Sequence, residues 1–202
     1  MMNESIAKHY LSDALESFRA YKKLAEKALA QTRDDEFFIK LDEESNSLAV
    51  IMKHMAGNML SRWTDFLITD GEKPDRNRDL EFVTPGGTTK EEVLTYWERG
   101  WACLFAALEP FEPADFDRKI LIRGEEHSVV EAINRQLTHY AYHVGQLVFL
   151  AKHLRSQEWK SLSIPRSRSA EFNRFLEHET VSNDHRFDAA SRFATESKGK
   201  VE

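Results

Sequence analysis

His139 and His143 stand four residues apart in the run Leu137–Gln146, Leu-Thr-His-Tyr-Ala-Tyr-His-Val-Gly-Gln. On an α-helix, residues i and i+4 share a face, with Cβ atoms about 5–6 Å apart. Two imidazoles so placed can turn nitrogens towards one ion, and imidazole is a common ligand for divalent transition metals. A pair is only half a site, and in an arbitrary helix it is usually coincidence. The chemistry depends on a third ligand, an open coordination position and a cavity.

Six other histidines compete for the third place: His9, His54, His127, His153, His178 and His185. His153 returns almost to the face of His139, but fourteen residues place it about 21 Å further along the axis. By the same rise, His127 lies about 18 Å from the pair, just before the helix begins. His178 and His185 fall in a weakly patterned tail and are expected to be solvated. His9 and His54 remain. His54 is favoured because Ser47, Ile51, His54, Asn58, Ser61 and Asp65 form a line distinct from the apolar stripe of Met52, Met55, Met59 and Trp63. That line either faces water or lines a cleft. Gln136, His139, His143 and Gln146 fall within about 80° of arc beside an apolar face, a comparable edge. Periodicity permits the two edges to meet and does not require it.

The elements that would carry these residues are helical. Apolar residues recur at spacings of three and four over about 4–31 and 44–69. Thr88 or Thr89, followed at three residues by Glu91 or Glu92, is a capping box opening a third helix that reaches Leu108 before Pro110. Ser128 and Glu131 form a second box, opening a fourth helix to about Leu154. Between them, the β-branched run 118–127 with its Gly124 predicts a small hairpin. The expected fold is all-α: a four-helix bundle with a hairpin excursion before the fourth helix and a polar C-terminal tail. Residues 1–158 form the bundle domain. Residues 159–202 form an extension with one short helix near 170–177 and a frayed final stretch of about fifteen residues.

Composition narrows the function. The chain has 202 residues, a net charge of −6 and 41% apolar residues, 13 of them Phe. An acidic chain is a poor nucleic-acid binder, because such proteins need an extended basic surface. No run approaches 18 apolar residues and the first residues lack a signal-peptide core, so no membrane association is expected and the location is cytoplasmic. The lone Cys103 excludes an internal disulfide and, between Trp101 and Leu104, is expected to be a small core residue.

His54 in Ile51–Asn58, followed by His139 and His143 in the late H-x-x-x-H-x-G-Q element, resembles the DinB/YfiT-like superfamily of metal-dependent enzymes. The hairpin Ile122–His127 and the segment Ile164–Asn173 resemble one branch of it without an assigned activity. The resemblance covers about residues 1–175. It implies a four-helix bundle in which His54, His139 and His143 bind one divalent transition metal. Members resembling this chain are linked to hydrolysis and to transfer or isomerisation with low-molecular-weight thiols. Fold and site transfer across such a superfamily better than reaction does.

Three imidazoles leave an open position, the architecture of catalytic rather than structural zinc sites. Zinc, nickel and iron all suit these ligands. The expected function is therefore a metal-dependent hydrolase or low-molecular-weight-thiol S-transferase acting on a small molecule, with a homodimer expected. The alternative is a non-catalytic dimeric bundle carrying a vestigial or regulatory metal. Asn58 and Gln146, one turn from the ligands, are candidates to hydrogen-bond an imidazole or a substrate. Tyr142 is a candidate acid, whereas Tyr140 is expected in the core. Arg62 could receive an anionic substrate group, although a surface ion pair is its default role. No carboxylate is tied to the histidines by spacing, so no catalytic residue beyond the ligands is assigned.

Overall fold

The structure, a computed structural model, describes residues 3–178, 189–190 and 192–194, and long helices dominate them. The chain divides into two units, Met1–Leu154 and Arg155–Glu202. Helix α1, Glu4–Leu29, starts at Asn3, whose side-chain oxygen accepts from the amides of Ser5 and Ile6. Helices α2 (Leu48–Trp63) and α3 (Lys90–Leu108) follow. A two-stranded antiparallel hairpin, β1 (Lys119–Ile122) and β2 (Glu125–Ser128), leads into α4, Val129–Arg155. The all-α bundle with its small hairpin is therefore the fold expected from the helical periodicity. Both capping boxes are present, Thr89 with Glu92 and Ser128 with Glu131.

Helix α2 is shorter at both ends than its apolar pattern suggests. At the start, Asp42 Oδ1 accepts from the amides of Glu44 and Ser45 and from the Ser45 hydroxyl, so residues 42–45 make a turn. Ser47 then caps the helix by accepting from the Val50 amide. Such side-chain-to-backbone bonds compete with helix formation. At the far end, Thr64 turns extended and Asp65 adopts a left-handed φ of 49°. The chain then folds back, and the Gly71 carbonyl accepts from the Ser61 hydroxyl at 2.8 Å and from the Arg62 guanidinium.

One aromatic residue from each of α1 to α4 meets in the centre: Phe18, Trp63, Trp101 and Tyr140, none more than 1% exposed. Ring centroids are 6.1 Å apart for Phe18–Trp63 and 5.8 Å for both Phe18–Tyr140 and Trp101–Tyr140. Aromatic pairs at these distances add to the area they bury, and Phe18–Trp63 and Trp101–Tyr140 are edge-to-face. The Tyr140 hydroxyl accepts from Trp63 Nε1 at 3.0 Å and donates to Asn58 Oδ1 at 3.1 Å. This chain of bonds ties α2 to α4 one turn from His54 and one residue from His139. Tyr140 is thus a core residue, as expected. Cys103 is only half-buried, with Sγ 3.4 Å from Thr64 Oγ1.

In the second unit, α5 spans Ser169–His178. Phe172 and Phe175 pack with Phe193, at centroid separations of 5.4 and 5.6 Å from it. Of the final stretch expected to fray, residues 189–190 and 192–194 are helical and Phe193 is buried; the rest of it, and His185, lie outside the described residues. No helix among the described residues is long and apolar enough to cross a membrane.

Candidate metal centre

His54 is buried on α2, and His139 and His143 are half-buried on α4. Their ring centroids lie 4.6 to 5.5 Å apart, and one nitrogen from each falls within 4.8 Å of the others. The two polar edges read from the helical spacing therefore meet. Three nitrogens each about 2.0–2.1 Å from a common ion stand roughly 3–3.5 Å from one another. The Nε2 atoms of His139 and His143, at 3.0 Å, are already that close. The other candidates are elsewhere: His9 and His153 are exposed, and His127 sits on the hairpin with Nε2 4.0 Å from Glu125.

Protonation suits the arrangement. Burial first, then the charges of His143, His54 and nearby arginines, push the His139 pKa down to about 3. Burial likewise lowers His143 to about 4, against a hydrogen bond to Gln146 that raises it. Both rings are neutral at physiological pH, and a ligand histidine must be neutral.

The tautomers are set as well. His54 Nδ1 lies 2.8 Å from Glu81 Oε2, and a carboxylate can only accept. The proton is therefore on Nδ1 and the lone pair on Nε2. His143 Nδ1 lies 2.8 Å from the Gln146 carbonyl oxygen, which imposes the same tautomer. Such partners orient a ligating imidazole and raise its basicity.

Glu81 is the functional residue that spacing did not reveal. It comes from a short 3-10 turn, Asp79–Phe82, and is 6% exposed. Burial raises its pKa, yet hydrogen bonds from His54 and Arg76 outweigh this and leave it lowered. Arg76 grips both oxygens, Nε to Oε1 at 2.8 Å and Nη2 to Oε2 at 3.0 Å. Phe82 packs over the His54 ring with centroids 5.0 Å apart. Gly57 makes room for all this, since a Cβ there would stand 2.3 Å from Glu81 Oε1. The available signal was faint: an acidic residue between Leu80 and Phe82 in a charged stretch.

The remaining predicted residues divide. Gln146 holds His143, and its amide nitrogen donates to the Tyr142 hydroxyl at 3.0 Å. Tyr142 is 61% exposed, with its ring 4.7 Å from that of His143. The Asn58 oxygen is bonded to Tyr140 rather than to an imidazole. Arg62 is not a surface residue: it is 5% exposed and bonds the Gly71 carbonyl and Glu72. His54, His139, Asn58, Arg62, Gln136 and Tyr142 line one cavity of about 360 Å³. A larger cavity, about 660 Å³, shares Arg76 with it but has no histidine in its walls.

Three imidazoles, two of them with fixed tautomers, beside a cavity are a donor set that fits a divalent transition metal. Neither a curated protein nor a solved structure matches the chain. A family model, described as protein of unknown function (DUF1572), matches residues 5–168. On that match across most of its length, the chain belongs to the DUF1572 family.

Proposed function

We propose that the bundle is a metal-dependent enzyme in which His54, His139 and His143 hold one divalent zinc, nickel or iron ion. The observation that carries this reading is the convergence of three imidazoles from two helices, with acceptors that direct the lone pairs of His54 and His143 away from Nδ1. The resemblance of these residues to the DinB/YfiT-like superfamily supports it. Bound there, such an ion supplies Lewis acidity, lowering the pKa of water or of a low-molecular-weight thiol and so favouring hydrolysis or S-transfer.

The chain's own residues supply the rest. Glu81 keeps the proton of His54 on Nδ1, and Gln146 does the same for His143. Three ligands leave a coordination position open for substrate. The adjoining cavity, walled by Asn58, Arg62 and Gln136, receives the remainder of a small molecule. In this reading residues 1–158 are the catalytic domain and 159–202 an extension of it.

Purified protein loaded with zinc, nickel or iron should retain about one ion per chain after desalting. His139→Ala should lose the ion while keeping its helical circular dichroism. Protein that holds none of the three metals contradicts the reading. With metal in place, turnover of electrophiles by a thiol panel separates S-transfer from ester or amide hydrolysis.

A further inference from the structure

The cavity beside the histidines has an unusual wall for an acidic protein. Arg62, Arg76, Arg78, Arg123 and Arg135 all line it, although the chain carries a net charge of −6. They come from α2, from the loop after it, from the hairpin turn and from α4. Glu72 and Glu81 are the carboxylates their guanidiniums reach. Glu72 is shared by Arg62 at 3.2 Å, Arg76 at 3.4 Å and Arg123 at 3.2 Å. Glu81 is gripped by Arg76. The nearby Asp70 is occupied by the backbone amides of Glu72, Arg123 and Gly124. Arg78 and Arg135 are exposed and make no ion pair among the described residues. The positive charge at this wall is therefore not neutralised from within.

Two buried polar atoms in the same wall also lack partners among the described residues. Arg62 is 5% exposed and its Nε has no acceptor; Gln136 is 3% exposed and its Oε1 has no donor. Buried polar atoms without partners are rare in folded proteins. An anionic oxygen would satisfy the first, and a ligand hydroxyl or amide N–H the second. The hairpin adds a further sign. Arg123 takes a left-handed φ of 56° at a turn position that favours Asn, Asp or Gly, and Asp70 holds it there. Planar, weakly hydrated guanidiniums suit oxyanions.

We infer that this wall is an oxyanion subsite: it holds a carboxylate or phosphate of the small-molecule substrate whose reacting group lies at the histidines. Arg78, Arg135 and the Nε of Arg62 make the contact, since Arg76 is committed to Glu81 and Arg123 to Glu72. Gln136 accepts a hydrogen bond from the same ligand. The inference rests on the histidines being the reaction centre.

Calorimetric titration of the full chain, stripped of metal and freed of chelator, tests it with succinate and inorganic phosphate as probes and succinamide as the uncharged control. Saturable binding of an anion at a Kd of about 1 mM or tighter, weakening with added salt, is expected. The tighter anion identifies the group as carboxylate or phosphate. The exposed double variant Arg78→Ala/Arg135→Ala and, separately, Arg62→Lys should each weaken it at least about tenfold, with zinc stoichiometry unchanged. No saturable binding of either anion up to about 10 mM overturns the subsite, as does equal affinity in wild type and the double variant. Because these titrations contain no metal, failure of the histidines to bind zinc would be seen separately.

Discussion

The carboxylate of Glu81 and the imidazole of His54 are joined at 2.8 Å across 27 residues of chain, within the bundle interior. The loop after α2 thereby returns to the helix it left and fixes which nitrogen of His54 faces the other two histidines. Arg76 completes the contact by holding both Glu81 oxygens. Largely shielded from solvent, the relay fixes ring orientation as well as tautomer.

Replacing that carboxylate should therefore weaken metal binding while the bundle stays intact. Glu81→Gln retains the shape and an acceptor but removes the charge. Loss of such a partner commonly lowers metal affinity about 10- to 100-fold. Competition against a chromophoric chelator reads the affinity, and circular dichroism reads the helices. Unchanged affinity would show that Glu81 serves only to bury Arg76.

Gly57 offers a test in which helix stability and metal affinity part company. Alanine is favoured over glycine inside a helix by about 1 kcal/mol. Its Cβ would nevertheless stand 2.3 Å from Glu81 Oε1, and Glu81 is held on two sides and cannot simply swing away. Gly57→Ala should lower zinc affinity by a factor comparable to Glu81→Gln, and the two changes together should not add. Additive losses in the double variant would mean that Gly57 acts on something other than Glu81.

Acid should destabilise the protein in a window set by the histidines. His139 and His143 have folded pKa values of about 3 and about 4, below the 6.5 of an ordinary histidine. Between these limits the unfolded chain binds more protons than the folded one, so stability falls as pH drops from 6.5 towards 3. Carboxylates add to the loss below about pH 5. The histidine contribution is therefore read between pH 6.5 and 5, from urea midpoints in the presence of chelator. His139→Gln should flatten the slope there; an unchanged slope would place the proton uptake elsewhere.

Helical spacing alone carried His139 and His143 to one face, because four residues make about one turn whatever the tertiary structure. It carried His54 only as far as a polar edge. That α2 and α4 are neighbours is a tertiary fact, expressed through Tyr140 and its bonds to Trp63 and Asn58. Glu81 and the burial of Arg62 were beyond periodicity. Both depend on residues 64–82 folding back over α2, and an irregular segment has no period to read. The Gly71 carbonyl that accepts from Arg62 illustrates the point, since a backbone acceptor leaves no trace in residue type. The length of α2 was obscured similarly, by side chains such as Asp42 that bond their own backbone.

The four-aromatic junction of Phe18, Trp63, Trp101 and Tyr140 has a consequence for which parts of the chain can change. It secures the bundle with residues that belong to helices alone, whereas Glu81, Arg76, Arg78 and Arg123 belong to connecting segments. Scaffold and tuning elements thus occupy separate segments of the chain. Exchanging the segment between α2 and α3, or the hairpin turn, leaves the three histidines on their helices and alters what surrounds them. A descendant could acquire a different substrate by rewriting its connections, with no repacking of its core.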